Sequence, residues 1–139
     1  MARHRGRAAL GGTVVLDADG VSKAAAADRR VHAMLVSARN RDARVVVSAV
    51  TLAEVLRGTL RDAATYRVLS RIAELPVTPE IGRAGGGLLG STGLSGATVD
   101  AVVAATALRQ PGPVLLVTSD PSDMAKLTAS RSDIAVAAV

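Results

Sequence analysis

The sequence predicts an α/β fold: a three-layer α/β/α domain around a central, mainly parallel sheet of four to five strands. Three observations predict it. Short runs that are apolar throughout and rich in β-branched residues punctuate the chain. Ala-rich segments with helical spacing lie between them. Strands without a polar face need cover on both sides, and parallel sheets obtain that cover from their crossover helices.

In chain order, "TVVLD" (13–17) is the first strand, followed by a helical segment over 21–41. The strand "ARVVVS" (43–48) and a helical segment over 49–73 come next, then a short strand "LPVT" (75–78) and a helix over about 79–90. Further helical spacing covers 96–109, the strand "PVLLVTS" covers 113–119, and a helix spans 121–130. "DIAVAAV" (133–139) is the possible fifth strand. The segment "GRAGGGLLGSTGLSG" (82–96) is read as a flexible connection. Its Gly85, Gly87 and Gly90 fit G-x-G-x-x-G in form, but they follow a helix and no acid lies about twenty positions beyond, so a dinucleotide fingerprint is rejected. No G-K-S/T exists for a Walker loop.

A chain of 139 residues is expected to form one domain, residues 13–139, behind a basic, flexible N-terminal tail over residues 1–12. The apolar half of the composition is mostly Ala, Val and Leu, with one Tyr and no Phe or Trp, so the core must be built from many small aliphatic contacts. With no cysteine, disulfides and thiolate metal sites are excluded, which suits a cytoplasmic location. No apolar run reaches membrane-spanning length. Gly11 and Gly12 interrupt the short apolar stretch near the start and the charged "DAD" follows at once, so a signal peptide is not expected. The net charge is +5; Arg3, Arg5 and Arg7 carry three of those units, leaving +2 on the rest. Such mild basicity permits nucleic acid as a partner without demanding it.

The acids are more informative. Asp17 ends the first strand, Glu54 lies just after the second in "SAVTLAEVLRG", Asp100 lies in "SGATVDAVVAATAL", and Asp120 and Asp123 follow the strand "PVLLVTS". In an open parallel sheet, positions beyond the carboxyl ends of strands converge on one crevice. Local structural roles compete for most of these residues. Thr51 to Glu54 matches a capping box, Asp120 before Pro121 suits an N-cap with Asp123 at the positive helix end, and Asp17 suits a turn. Asp100 is harder to explain locally. It is the only charge between Arg83 and Arg109, in a segment apolar on nearly every face, and no Lys or Arg sits at helical spacing to pair with it. Converging carboxylates repel unless a cation neutralises them. Hard oxygen donors suit Mg²⁺ or Mn²⁺, and such sites perform phosphodiester hydrolysis.

Taken together, the strand ending in Asp17, "AVTLAEVLRG" with Glu54, "VDAVVAATAL" with Asp100 and "LLVTSDPSDMAKL" with Asp120 and Asp123 resemble the acidic motifs of PIN-domain nucleases, especially the VapC-type toxins of bacterial toxin-antitoxin pairs. The resemblance spans about 13–130. It implies an endoribonuclease acting on RNA, with Mg²⁺ or Mn²⁺ held by Asp17, Glu54, Asp100 and Asp120. Asp17 and Asp100 would be the main direct ligands; Glu54 and Asp120 would complete the site and orient the attacking hydroxide. Thr118 matches the threonine before the last motif acid, and Asp123 is the weaker candidate. A homodimer and a VapB-like antitoxin that covers the site are implied as partners. Many relatives carry a small hydroxyl or amide residue two positions after the first Asp, where this chain has Asp19.

Two rivals share some of these residues. "LDADG" also looks like the nucleophile motif of haloacid-dehalogenase-type phosphatases, with Asp17 attacking phosphate and Asp19 as acid/base. That reading lacks a lysine before the last motif, since none lies between Lys23 and Lys126, and it does not account for Asp100. A non-catalytic PIN-like domain that binds RNA or a partner is the other. His4 and His32 fall in polar surroundings and suit surface positions. Arg29, Arg30, Arg39, Arg41, Arg44 and Arg57 are available for phosphates, with no role assigned to any one.

Overall fold

The computed structural model describes residues 11–139. Five strands, β1 (Thr13–Leu16), β2 (Arg44–Ser48), β3 (Ala73–Leu75), β4 (Val114–Thr118) and β5 (Ile134–Ala138), form one sheet in the order β3-β2-β1-β4-β5. Every pairing is parallel, with Val14 opposite Val45 on one side and Leu115 on the other. The described helices are α1 (Ala18–Ala25), α2 (Arg29–Asn40), α3 (Ala49–Val55), α4 (Ala63–Leu69), α5 (Pro79–Thr92), α6 (Thr98–Ala107) and α7 (Pro121–Leu127), with a 3-10 turn at Leu60–Asp62.

The central strand β1 is buried along its whole length, and successive side chains enter opposite layers. Val15 joins Val46, Leu116, Met124, Leu127 and the small residues of α6 on one face. Val14 and Leu16 join Val21, Ala38, Val47, Leu69 and Val117 on the other. Each of these buried Val and Leu side chains contributes about 1.5–3 kcal/mol, so a core without Phe or Trp is assembled from number rather than size. The expected three-layer α/β/α architecture is therefore present.

The boundaries differ from the sequence reading at four places, each for a physical reason. The segment over 21–41 is two helices, because Ala27 turns left-handed at φ 59°. The segment over 49–73 breaks at Gly58, where φ is 74°, and resumes as the 3-10 turn and α4. The third strand lies at 73–75 rather than 75–78, since Pro76 has no N–H to donate to the ladder. Most of the Gly-rich stretch is helix: α5 runs to Thr92, packs buried Gly85 on the backbone of Ala101 in α6, and stops at Gly93, whose φ of 70° is the left-handed cap that glycine adopts freely.

Of the expected tail over 1–12, residues 1–10 lie outside the described residues, together with Arg3, His4, Arg5 and Arg7. Gly11 and Gly12 belong to the domain instead. Both are buried, and Gly12 accepts the Arg44 N–H at 3.0 Å. Gly12 has φ 75°, with the Pro113 carbonyl against the space a Cβ would occupy. Among the described residues, no helix is long and apolar enough to cross a membrane.

Candidate metal centre

Because all five strands run the same way, their carboxyl ends share one edge of the sheet. The chain leaves β1 at Asp17, β2 at α3 and β4 at Ser119, while α6 runs back against the sheet and so begins at the same edge with Asp100. Four distant segments thereby deliver acids to one place.

Asp17 is 7% exposed and is the N-cap of α1. Its Oδ1 accepts the N–H of Asp19 at 3.1 Å and of Gly20 at 3.2 Å. Burial pushes its pKa up, the Thr118 hydroxyl and the Gly20 N–H pull it down, and the Asp19 charge raises it again. Thr118, fully buried at the end of β4, also accepts the Asp120 N–H at 3.0 Å, so one hydroxyl ties two of the acids to the same strand end.

Asp100, Asp120 and Asp123 form the tightest group: each offers a carboxylate oxygen, and these atoms lie within 4.8 Å of one another. Burial raises the Asp100 pKa to about 7, with its hydrogen bond to the Asp120 side chain and the charges of Asp120, Asp17 and Asp123 adding to the effect. Asp120 stands at the N-cap of α7, directly before Pro121 as the local reading expects, but its side chain makes no capping bond and is left to the acidic group. Asp17 and Glu54 do not belong to this tightest group. They share its field, since Asp17 acts on Asp100, and the charges of Asp17 and Asp19 add to desolvation in raising Glu54.

The capping box expected at Thr51 is also absent. Ser48 caps α3 instead, accepting the Val50 N–H at 3.2 Å, which leaves Glu54 exposed and free of that duty. Asp19 is exposed and accepts the Ser119 hydroxyl, joining the start of α1 to the loop that carries Asp120. Ser119 carried no signal in the sequence, because a lone serine in a loop is indistinguishable from a solvated one. Asp123 did carry one, but its place near a helix start gave it an adequate local explanation.

Among the described residues, no Lys or Arg pairs with Asp17, Glu54, Asp100, Asp120 or Asp123. Three carboxylates held this close, one half-buried with its pKa near neutrality, form a hard-oxygen donor set with no cationic side chain paired to it among the described residues. Mg²⁺ or Mn²⁺ fits that chemistry, because either takes carboxylate oxygens and keeps waters for the remaining positions. A cavity of about 420 Å³ between α1, α2 and α4 is a different kind of place. It is lined by Leu35, Val45, Val68 and Ile72 with Arg39 and Arg67, and among the described residues no acid lines it.

A sequence model of the PIN domain matches residues 14–128. No curated protein matches the chain in sequence. Solved structures match in fold. A chain of VapBC2 from Rickettsia felis, bound to a DNA fragment from their promoter, superposes with a TM-score of 0.68 at 15% identity, covering 91% of this chain and 98% of that one. A toxin-antitoxin complex from Klebsiella pneumoniae gives 0.65 at 18% identity over 88% and 95%. FitAcB from Neisseria gonorrhoeae gives 0.60 at 22% identity over 89% and 96%.

Proposed function

The chain belongs to the PIN-domain family, and from that premise we propose that it is a metal-dependent endoribonuclease, the toxin of a type II toxin-antitoxin pair. The observation that carries the reading is the group of Asp100, Asp120 and Asp123, three carboxylates converging without a cationic partner among the described residues. Fold likeness to solved toxin-antitoxin complexes supports the biological role.

In this proposal Asp100 and Asp120 hold Mg²⁺ or Mn²⁺, with Asp123 contributing an oxygen and Asp17 completing the set. A divalent cation there supplies Lewis acidity toward a phosphodiester. Asp17 is held in orientation by the Asp19 and Gly20 N–H groups and by Thr118. Glu54, exposed at the rim with a raised pKa, orients the attacking water and accepts its proton at the side-chain carboxylate. The expected partners are a VapB-like antitoxin and a second copy of the chain, acting in the cytoplasm. The dehalogenase-type reading does not survive, because the chain belongs to another family and Asp17 lies among acids that reading leaves without a role.

The test is cleavage of a pool of tRNA and ribosomal RNA by the purified protein, with Mg²⁺ or Mn²⁺ against chelator, for wild type and Asp100→Asn. Metal-dependent cuts that vanish in the variant are expected. Equal cleavage by both proteins would remove Asp100 from the site.

A further inference from the structure

The candidate metal centre has acids on every contributing segment and no cation paired with them among the described residues. A polyanion approaching it must be held by a positive surface elsewhere. The stretch that follows α3, from Arg57 to Arg71, contains four arginines and one acid. That acid, Asp62, is buried and turned inward, accepting the N–H of Arg57 at 3.0 Å and of Gly58 at 2.8 Å. Its oxygens shape the loop through backbone N–H groups, and although the nearby Arg57 charge helps hold its pKa down, it forms no ion pair with an arginine among the described residues.

The loop so shaped presents an unusual surface. Leu60 is 96% exposed and Tyr66, the sole aromatic residue of the chain, is 57% exposed, although large apolar side chains are scarce in the core. Arg61 forms no ion pair among the described residues. Arg57 lies just past the end of α3, beyond Glu54, and donates Nη1 to the Ala53 and Leu56 carbonyls, which fixes the guanidinium at the end of α3 with donors to spare. None of Arg57, Leu60, Arg61 and Tyr66 lines the apolar cavity, which takes the Arg67 and Val68 side of α4.

We infer that this second face of the loop and α4 is where single-stranded RNA is held on its way to the acids, with Arg57 and Arg61 on phosphates and Tyr66 stacked on a base. Leu60 packs beside the stacked base. Arginine forks and one exposed ring suit unpaired RNA, whose bases are free to stack. The inference rests on the nuclease reading above.

The experiment is fluorescence anisotropy of a labelled single-stranded RNA with the full chain in chelator, where no cleavage occurs, over a series of salt concentrations. Arg61→Gln is expected to weaken binding about threefold to tenfold and to lower the slope of log affinity against log salt by about 0.7, the loss of one phosphate contact. Tyr66→Leu is expected to weaken binding about fivefold or more with the slope unchanged. Both variants should melt like wild type and show the same Mn²⁺-induced rise in Tm. If wild type cleaves RNA with metal but both variants bind RNA as it does, this inference is overturned and the nuclease reading stands. Variants that hold RNA normally but lose a cognate antitoxin would overturn it in favour of a protein interface. A wild type that neither binds nor cuts RNA would overturn both.

Discussion

Asp100 and Asp120 come from different elements, the first turn of α6 and the residue before α7, yet their carboxylates share a group within 4.8 Å, and burial, reinforced by the Asp120 hydrogen bond and charge, raises the Asp100 pKa to about 7. Carboxylates so placed repel one another unless a cation neutralises them. That repulsion costs stability, and a divalent ion bound as proposed would recover it.

Asp100→Asn separates these effects. Cleavage should fall at least about 100-fold, while the metal-free protein gains about 1 kcal/mol, a Tm rise of about 3–5 °C, because the amide removes a half-buried like charge. The Mn²⁺-induced Tm increase should shrink or vanish. Thermal melts with and without Mn²⁺ check all but the cleavage, and an unchanged Mn²⁺ response would show that Asp100 holds no ion.

Metal-free stability should fall as pH rises from about 4 to about 7. In the unfolded chain Asp100 titrates near 3.8, and in the fold near 7, so between those values the folded state binds the extra proton and loses its advantage as the proton leaves. Asp17 and Glu54 are shifted in the same direction. Allowing for screening at a partly exposed site, the Asp100 contribution is about 1–2 kcal/mol. Urea unfolding over this pH range should show the decline in chelator and its attenuation in saturating Mn²⁺.

Thr118→Val keeps the shape and removes the hydroxyl. The Asp120 N–H then loses its acceptor and Asp17 loses an interaction that lowers its pKa. A destabilisation of about 1–2 kcal/mol and a drop in cleavage of about 10–100-fold are expected. Wild-type rates in this variant would mean that Thr118 serves the fold alone.

Gly12→Ala should be among the more damaging substitutions outside the site. The residue holds φ 75° with the Pro113 carbonyl where the new methyl must go, so a loss of more than about 2 kcal/mol is expected, read as a lower urea midpoint. A midpoint within error of wild type would show that the start of β1 can relax around the methyl group.

Much of the fold was legible because its signals are local. Runs such as "VVVS" and "VLLVT" have no polar face, so their places in the sheet at β2 and β4 could be read directly. Asp100 stood out for the related reason that a charge in a helix buried on most faces has no local partner. Where local preference and packing disagreed, packing prevailed. The glycines of α5 predict a loop by propensity, but a helix packed through Gly85 on Ala101 sets Leu88 and Leu89 against the core, which outweighs the helix cost of about 1 kcal/mol per glycine.

By itself the sequence determined the layered α/β class and the residues able to form an acidic site, since hydrophobic period and uncompensated charge are properties of short segments. Only the tertiary structure decided which acids meet. Asp123 joins Asp100 and Asp120, Asp17 turns one oxygen to the start of α1, and Ser48 rather than Thr51 caps α3, freeing Glu54. Those choices depend on distances between strand ends and helix starts far apart in the chain, set by the parallel register of β1 with β2 and β4. No local preference encodes such distances.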